Sequence, residues 1–76
     1  MAVTIYTTTF CPWCKKTKEF FKENNVKYKE INVGNNLKAA EAMIKKSGQQ
    51  GVPVVDINGK IVVGFDEAKL RKLIKK

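Results

Sequence analysis

The chain has no histidine, a single arginine, and only two cysteines among its 76 residues. These shortages exclude a good deal. A structural zinc site wants four Cys or His ligands in a tetrahedron, and one chain with two cysteines and no histidine cannot supply them. A disulfide framework is excluded as well, because a pair of cysteines two residues apart closes a loop too short to constrain the unfolded chain much. Stability must come mainly from packing. No apolar run approaches the ~20 residues a membrane helix needs. The N-terminus lacks a charged head followed by a long apolar stretch, so neither a membrane partner nor a targeting leader is expected. No repeat, linker or low-complexity segment is visible, and residues 1–76 read as one domain. A cytoplasmic, thiol-reducing compartment is the default expectation.

What is present is a globular composition, 43% hydrophobic and 29% charged. Fifteen basic residues, all but one of them lysine, stand against seven acids for a net charge of +8. The lysines are scattered rather than blocked, which reads first as a solvated surface. The same charge attracts anionic small molecules or an acidic partner protein. No basic run is interleaved with aromatics, so nucleic acid is not an expected partner.

Val3 to Thr7 is β-branched and aromatic, the pattern of a strand. Pro12 suits the first turn of a helix, where its missing N–H costs nothing. Cys14, Thr17 and Phe21 share one face of that helix, with Trp13 and Phe20 beside it, and Asn24-Asn25 supplies a left-handed stop. Val26 to Val33 alternates as a second strand, with Tyr28 on one face and Ile31 on the other. Asn35 or Asn36 caps a second helix carrying Leu37, Ala40, Met43 and Ile44, closed by Gly48. Val52 to Ile57 is a third strand, Asn58-Gly59 a hairpin turn, and Lys60 to Gly64 a fourth strand. Asp66 caps a last helix with Leu70, Leu73 and Ile74. The order βαβαββα predicts an α/β domain. Its first strand pair should be parallel and right-handed, its last antiparallel, and three helices should flank the mixed four-stranded sheet.

Both cysteines fall in Cys11-Pro12-Trp13-Cys14, at the junction of the first strand and helix. A redox dithiol, a metal shared between chains and an inconsequential pair are all open to two such cysteines; the strand–helix setting favours the first. Cys11 falls at the helix N-cap, within reach of the N–H groups of Trp13 and Cys14. Those groups and the helix dipole favour a thiolate and lower the Cys11 pKa. Lys15, Lys16 and Lys18 add positive field. Cys14, one turn in, points to the packed side, close enough to resolve a mixed disulfide on Cys11. Pro12 stiffens the turn, and Trp13 is expected to stand exposed beside the sulfurs and contact substrate. Val52-Pro53 opens the third strand, and Pro53 at a strand start is otherwise ordinary.

Ile5-Tyr6-Thr7, Cys11-Pro12-Trp13-Cys14, Gly51-Val52-Pro53-Val54 and Gly64-Phe65-Asp66 occur in the order and spacing of the glutaredoxins, and the chain resembles that family over essentially its whole length. It looks most like the short single-domain dithiol members of bacteria and archaea. The resemblance implies a thioredoxin fold with Val52-Pro53 in cis, Cys11 as nucleophile and Cys14 as resolving thiol. It also implies glutathione as co-substrate, lying along the Val52 backbone with Gly64, Phe65 and Asp66 near its γ-glutamyl end. No bound metal is expected, and the partners implied are disulfide-containing proteins, met as a monomer. Two positions depart from the pattern. Thr8 stands where many members have a lysine, and Val63-Gly64 where many have a glycine pair; the missing lysine removes a carboxylate partner, for which Lys15 or Gln50 would have to compensate. Two alternatives follow. One is a related redoxin that takes electrons from a thioredoxin-reductase-type flavoenzyme and serves ribonucleotide reductase. The other is a dimer holding a [2Fe–2S] centre between two chains and glutathione.

Overall fold

Val3–Thr7 forms β1, with every residue but Thr4 buried. A strand buried on both faces belongs at the centre of a sheet covered on both sides. The computed structural model, which describes residues 2–74, places it there. β1 is flanked by β2 (Lys29–Asn32) and β3 (Val54–Ile57), and β4 (Lys60–Val63) completes the order β2-β1-β3-β4. β1 runs parallel to β2, with Tyr6 opposite Ile31, and antiparallel to β3, with Ile5 opposite Val55. β3 and β4 form a hairpin, Val55 opposite Val62. The two edge strands each open on a lysine, a charge that discourages further pairing. The Asn58-Gly59 turn has positive φ at both residues (53° and 90°), as a type I′ hairpin turn requires.

Alternation along the strands sorts the core into two faces. Val3 and Ile5 of β1 join Val55, Ile57 and Val62 beneath Phe20 and Phe21 of α1 (Pro12–Glu23) and Leu70 of α3 (Glu67–Ile74). Tyr6 and Val54 face the other way, onto Met43 of α2 (Leu37–Ser47). Tyr28 packs with the first set and Ile31 with the second, on opposite faces as the alternation predicts.

Helix ends follow local chemistry. Asn25 takes φ 56° beyond α1, and the Val26 N–H closes the turn on the Phe21 carbonyl at 2.8 Å. Asn36 is the residue that caps α2, accepting from the Ala39 N–H at 3.0 Å, and Gly48 ends that helix at φ 74°. Asp66 caps α3 through the Lys69 N–H at 3.1 Å.

Three strand boundaries differ from the sequence pattern. The second strand covers only Lys29–Asn32 of the expected Val26–Val33. Val26 and Tyr28 are instead spent as side chains packed under the α1 face. Val33–Asn35 turns into a 3₁₀ helix because the Asn32 side chain accepts from the Gly34 N–H at 2.8 Å. The third strand starts at Val54 rather than Val52, since Pro53 has no N–H for the ladder. The fourth stops at Val63, because Gly64 turns out of the strand with φ 76°.

Candidate active site

β1 ends inside the sheet, and the chain after it must climb out through Thr8, Thr9 and Phe10 before α1 can start. Cys11 is the residue that starts it. Its backbone is extended (φ −136°, ψ 97°), and its Sγ accepts a hydrogen bond from the Cys14 N–H at 3.1 Å. Of the two N–H groups expected to reach it, only that of Cys14 does so. Cys11 and Cys14 are joined as a disulfide, with Cα atoms 5.2 Å apart. The two sulfurs stand in different surroundings: Cys11 is partly exposed, whereas Cys14 retains 1% of its surface. Cys14 shares the buried side of α1 with Thr17, Phe20 and Phe21. Thr17 is fully buried, and its hydroxyl donates to the Trp13 carbonyl at 2.8 Å, which removes the penalty of an unpaired polar group beneath the motif.

Trp13 is 56% exposed, as expected for a ring between the cysteines. Its ring stacks on Phe65 at 6.2 Å, Phe65 meets Phe20 edge-on at 6.0 Å, and Lys16 Nζ lies 5.1 Å from the indole centroid. This aromatic chain ties the mouth of the site to the core.

Trp13, Val52, Pro53, Gly64 and Phe65 line a cleft of about 250 Å³. The Val52-Pro53 peptide is cis. Val52 lies just before the β1–β3 ladder, which begins at Val54. Gly64 holds the other wall; its N–H donates to the Pro53 carbonyl at 2.8 Å, and its φ of 76° is one that a side chain would strain. Asp66 follows, exposed, with Oδ1 occupied by its cap. Five residues singled out in the sequence thus meet in one cleft beside the motif. Lys15 and Gln50 are not among its lining residues. Gln50 is exposed in the loop before Val52, and Lys15 lines a second groove. Neither replaces a cation in the cleft.

The sequence reading missed a polar cluster under the motif. The buried Thr7 hydroxyl donates to Glu30 Oε2 at 2.8 Å, and Lys18 Nζ donates to the same oxygen at 3.1 Å. The Thr7 bond first, and then Lys18, hold the Glu30 carboxyl below its ordinary range against the opposing pull of burial. No sequence signal marks it, because its members come from β1, α1 and β2 and meet only on folding. Among the described residues no group of three or more His, Cys, Asp or Glu side chains is gathered as a metal site, and no helix is long and apolar enough to cross a membrane.

Known proteins share this arrangement. A glutaredoxin-like 8.6 kDa protein of Clostridium pasteurianum, encoded in a rubredoxin operon, is 49% identical over 74 residues, which is 97% of this chain and 99% of that protein. The crystal structure of a glutaredoxin from Archaeoglobus fulgidus superposes with a TM-score of 0.90 at 36% identity, covering 100% of this chain and 89% of that one. The glutaredoxin-like NrdH-redoxin of Escherichia coli superposes with a TM-score of 0.89 at 30% identity, covering 100% and 99%. The glutaredoxin family model matches residues 3–62, a span that holds both cysteines, the cis proline and three of the four strands entire. With Cys11 capping the first helix of a thioredoxin fold and Cys14 one turn inside it, the chain belongs to the glutaredoxin family of thiol–disulfide oxidoreductases.

Proposed function

We propose that this chain reduces protein disulfides or glutathione mixed disulfides, with Cys11 attacking and Cys14 resolving. The observation that carries the assignment is the inequality of the two sulfurs, one partly exposed at a helix cap and the other 1% exposed one turn in. In the reduced protein the Cys11 thiolate attacks one sulfur of the substrate disulfide. A Cys11–substrate disulfide forms, and the other substrate sulfur leaves as a thiolate and takes up a proton. Cys14 then gives up its proton and attacks Cys11 Sγ. The Cys11–Cys14 disulfide forms, the second substrate thiol is released, and two electrons have passed to the substrate. The Cys14 N–H that now bonds Cys11 Sγ supports the thiolate when the bridge is open.

Glutathione is the co-substrate the cleft supports. Val52 stands outside the ladder at its floor, the Trp13 and Phe65 rings wall it, and Asp66 offers a carboxylate with one oxygen free of its cap. The site acts on disulfide-bearing proteins as a single chain, in a thiol-reducing compartment such as the cytoplasm.

A second reading concerns the reductant. NrdH-redoxin, a glutaredoxin-like protein with a thioredoxin-like activity profile, matches this chain along nearly its full length. Here Thr8 replaces a lysine, and Val63, 49% exposed, adds bulk next to Gly64. These features support reduction by a thioredoxin-reductase-type flavoenzyme. A coupled NADPH assay separates the two readings. Oxidation of NADPH with glutathione and glutathione reductase, acting on a glutathionylated peptide, supports the first; turnover of insulin disulfides only with thioredoxin reductase supports the second. No turnover with either donor overturns both.

A further inference from the structure

A second groove, of about 740 Å³, runs from the cysteines along α1 and shares no lining residue with the Val52 cleft. Cys11, Lys15, Lys18 and Lys22 line it, spaced so that they form one stripe of the helix. At 1.5 Å per residue that stripe is about 16 Å long, the span of about five residues of extended chain. At the cysteine end stands Phe10, 93% exposed and also in the groove wall. Two carboxylates oppose the lysines. Glu19 lies in the wall, and Glu30 is bonded to Lys18 at 3.1 Å. Lys15 and Lys22 have no carboxylate within ion-pair reach among the described residues. The groove is therefore net positive, long, and open at an apolar ring beside the attacking sulfur.

We propose that this groove docks an acidic, extended segment of the protein whose disulfide Cys11 attacks. An apolar side chain next to the substrate cysteine lies on Phe10, and carboxylates farther along meet Lys15 and Lys22. Charge complementarity of this kind sets partner choice and encounter rate more than raw affinity. The assignment rests on the oxidoreductase reading for its purpose, while the docking itself can be measured without turnover.

The test is an amide chemical-shift titration of the oxidised protein with short cysteine-free peptides that differ only in carrying Glu, Gln or Lys at their charged positions. The Glu peptide is expected to shift the amides of Phe10, Lys15, Lys18 and Lys22. Its affinity should fall on the order of tenfold between low salt and about 0.3 M. Lys18→Glu with Lys22→Glu is expected to abolish the shifts. Lys22→Glu alone, at an exposed side chain with no carboxylate within ion-pair reach among the described residues, should weaken binding several-fold in a fold that is plainly intact, and Lys69→Glu on α3 should change nothing. Equal binding of the Gln peptide, or shifts centred elsewhere, overturns the proposal. So does an oligothymidylate of equal charge that shifts the same amides at lower concentration. A parallel arm mixes the Glu peptide carrying a disulfide with protein that has been reduced and then freed of dithiothreitol, so that the Cys11–Cys14 dithiol is the only reductant present. Shifts without reduction there count against the oxidoreductase reading and leave the docking groove standing.

Discussion

Cys11 and Cys14 differ in exposure because one ends a loop and the other begins a packed helical face; the residues around them extend that logic. Thr7 is buried at the end of β1, and its hydroxyl has one outlet, Glu30. That bond lowers the Glu30 pKa, so the folded carboxyl ionises at lower pH than the unfolded one. The interaction therefore stabilises the fold above the unfolded value of about 4.3, and its contribution disappears as pH falls through the folded value. Thr7→Val is expected to move the Glu30 titration upward, read from its carboxyl carbon by NMR; an unmoved titration would show that the bond is not made in solution. Lys46 has the opposite sign. The Tyr6 hydroxyl first and then Asp56, both hydrogen-bonded to its ammonium, raise its pKa. That contribution is complete below about 10.4, the ordinary lysine value, and is lost as pH rises through the folded value.

At the scale of elements, Asp66 caps α3, and the proposed contact with glutathione would give it a second purpose that substitution can separate. Asp66→Ala removes the cap on the Lys69 N–H and is expected to cost about 1 kcal/mol of stability, whereas Asp66→Asn keeps an equivalent cap and should cost a few tenths at most. Urea midpoints measure both. If the carboxylate also meets the γ-glutamyl end of glutathione, KM for glutathione rises in both variants alike. An unchanged KM in Asp66→Asn would confine the residue to its cap. The caps, the hairpin and the helical faces were legible in the sequence because each is decided by neighbours a few positions away. Asn36, Gly48 and Asp66 each bond within four residues of themselves, and the Asn58-Gly59 turn is set by its own φ angles, though Asn58 also bonds Ala2 across the sheet. The second strand was misjudged because the alternation from Val26 to Val33 does not say whether a side chain is buried by a ladder or by a passing loop. The Asn32–Gly34 bond carried a signal, an Asn two residues before a glycine, and it is what ends that strand early. The Thr7–Glu30–Lys18 cluster had none, since it depends on which elements the fold brings together, whereas the spacing of Lys15, Lys18 and Lys22 along α1 already marks the lysine stripe.

For the molecule as a whole, the small core leaves little margin. Phe21 is fully buried between the sheet and Tyr28, with ring centroids 5.7 Å apart. Phe21→Ala is expected to cost about 3–5 kcal/mol, a large part of the roughly 5–15 kcal/mol that holds a small domain together. Circular dichroism should show a partly unfolded population at room temperature, and a cooperative transition at the wild-type midpoint would contradict the packing described. The dithiol stands where two concavities meet the surface, a small neutral cleft beside the cis proline and a long basic groove along α1. If the two proposals above hold, that layout would give a thiol peptide and a protein chain separate approaches to the dithiol. The central claim, that Cys11 attacks and Cys14 resolves, is tested most directly by trapping the intermediate. Reduced Cys14→Ser protein mixed with a disulfide substrate should accumulate one mixed disulfide, which peptide mapping by mass spectrometry places on Cys11, and Cys11→Ser should accumulate none. A mixed disulfide on Cys14 in the Cys11→Ser protein, formed at a comparable rate, would contradict the account.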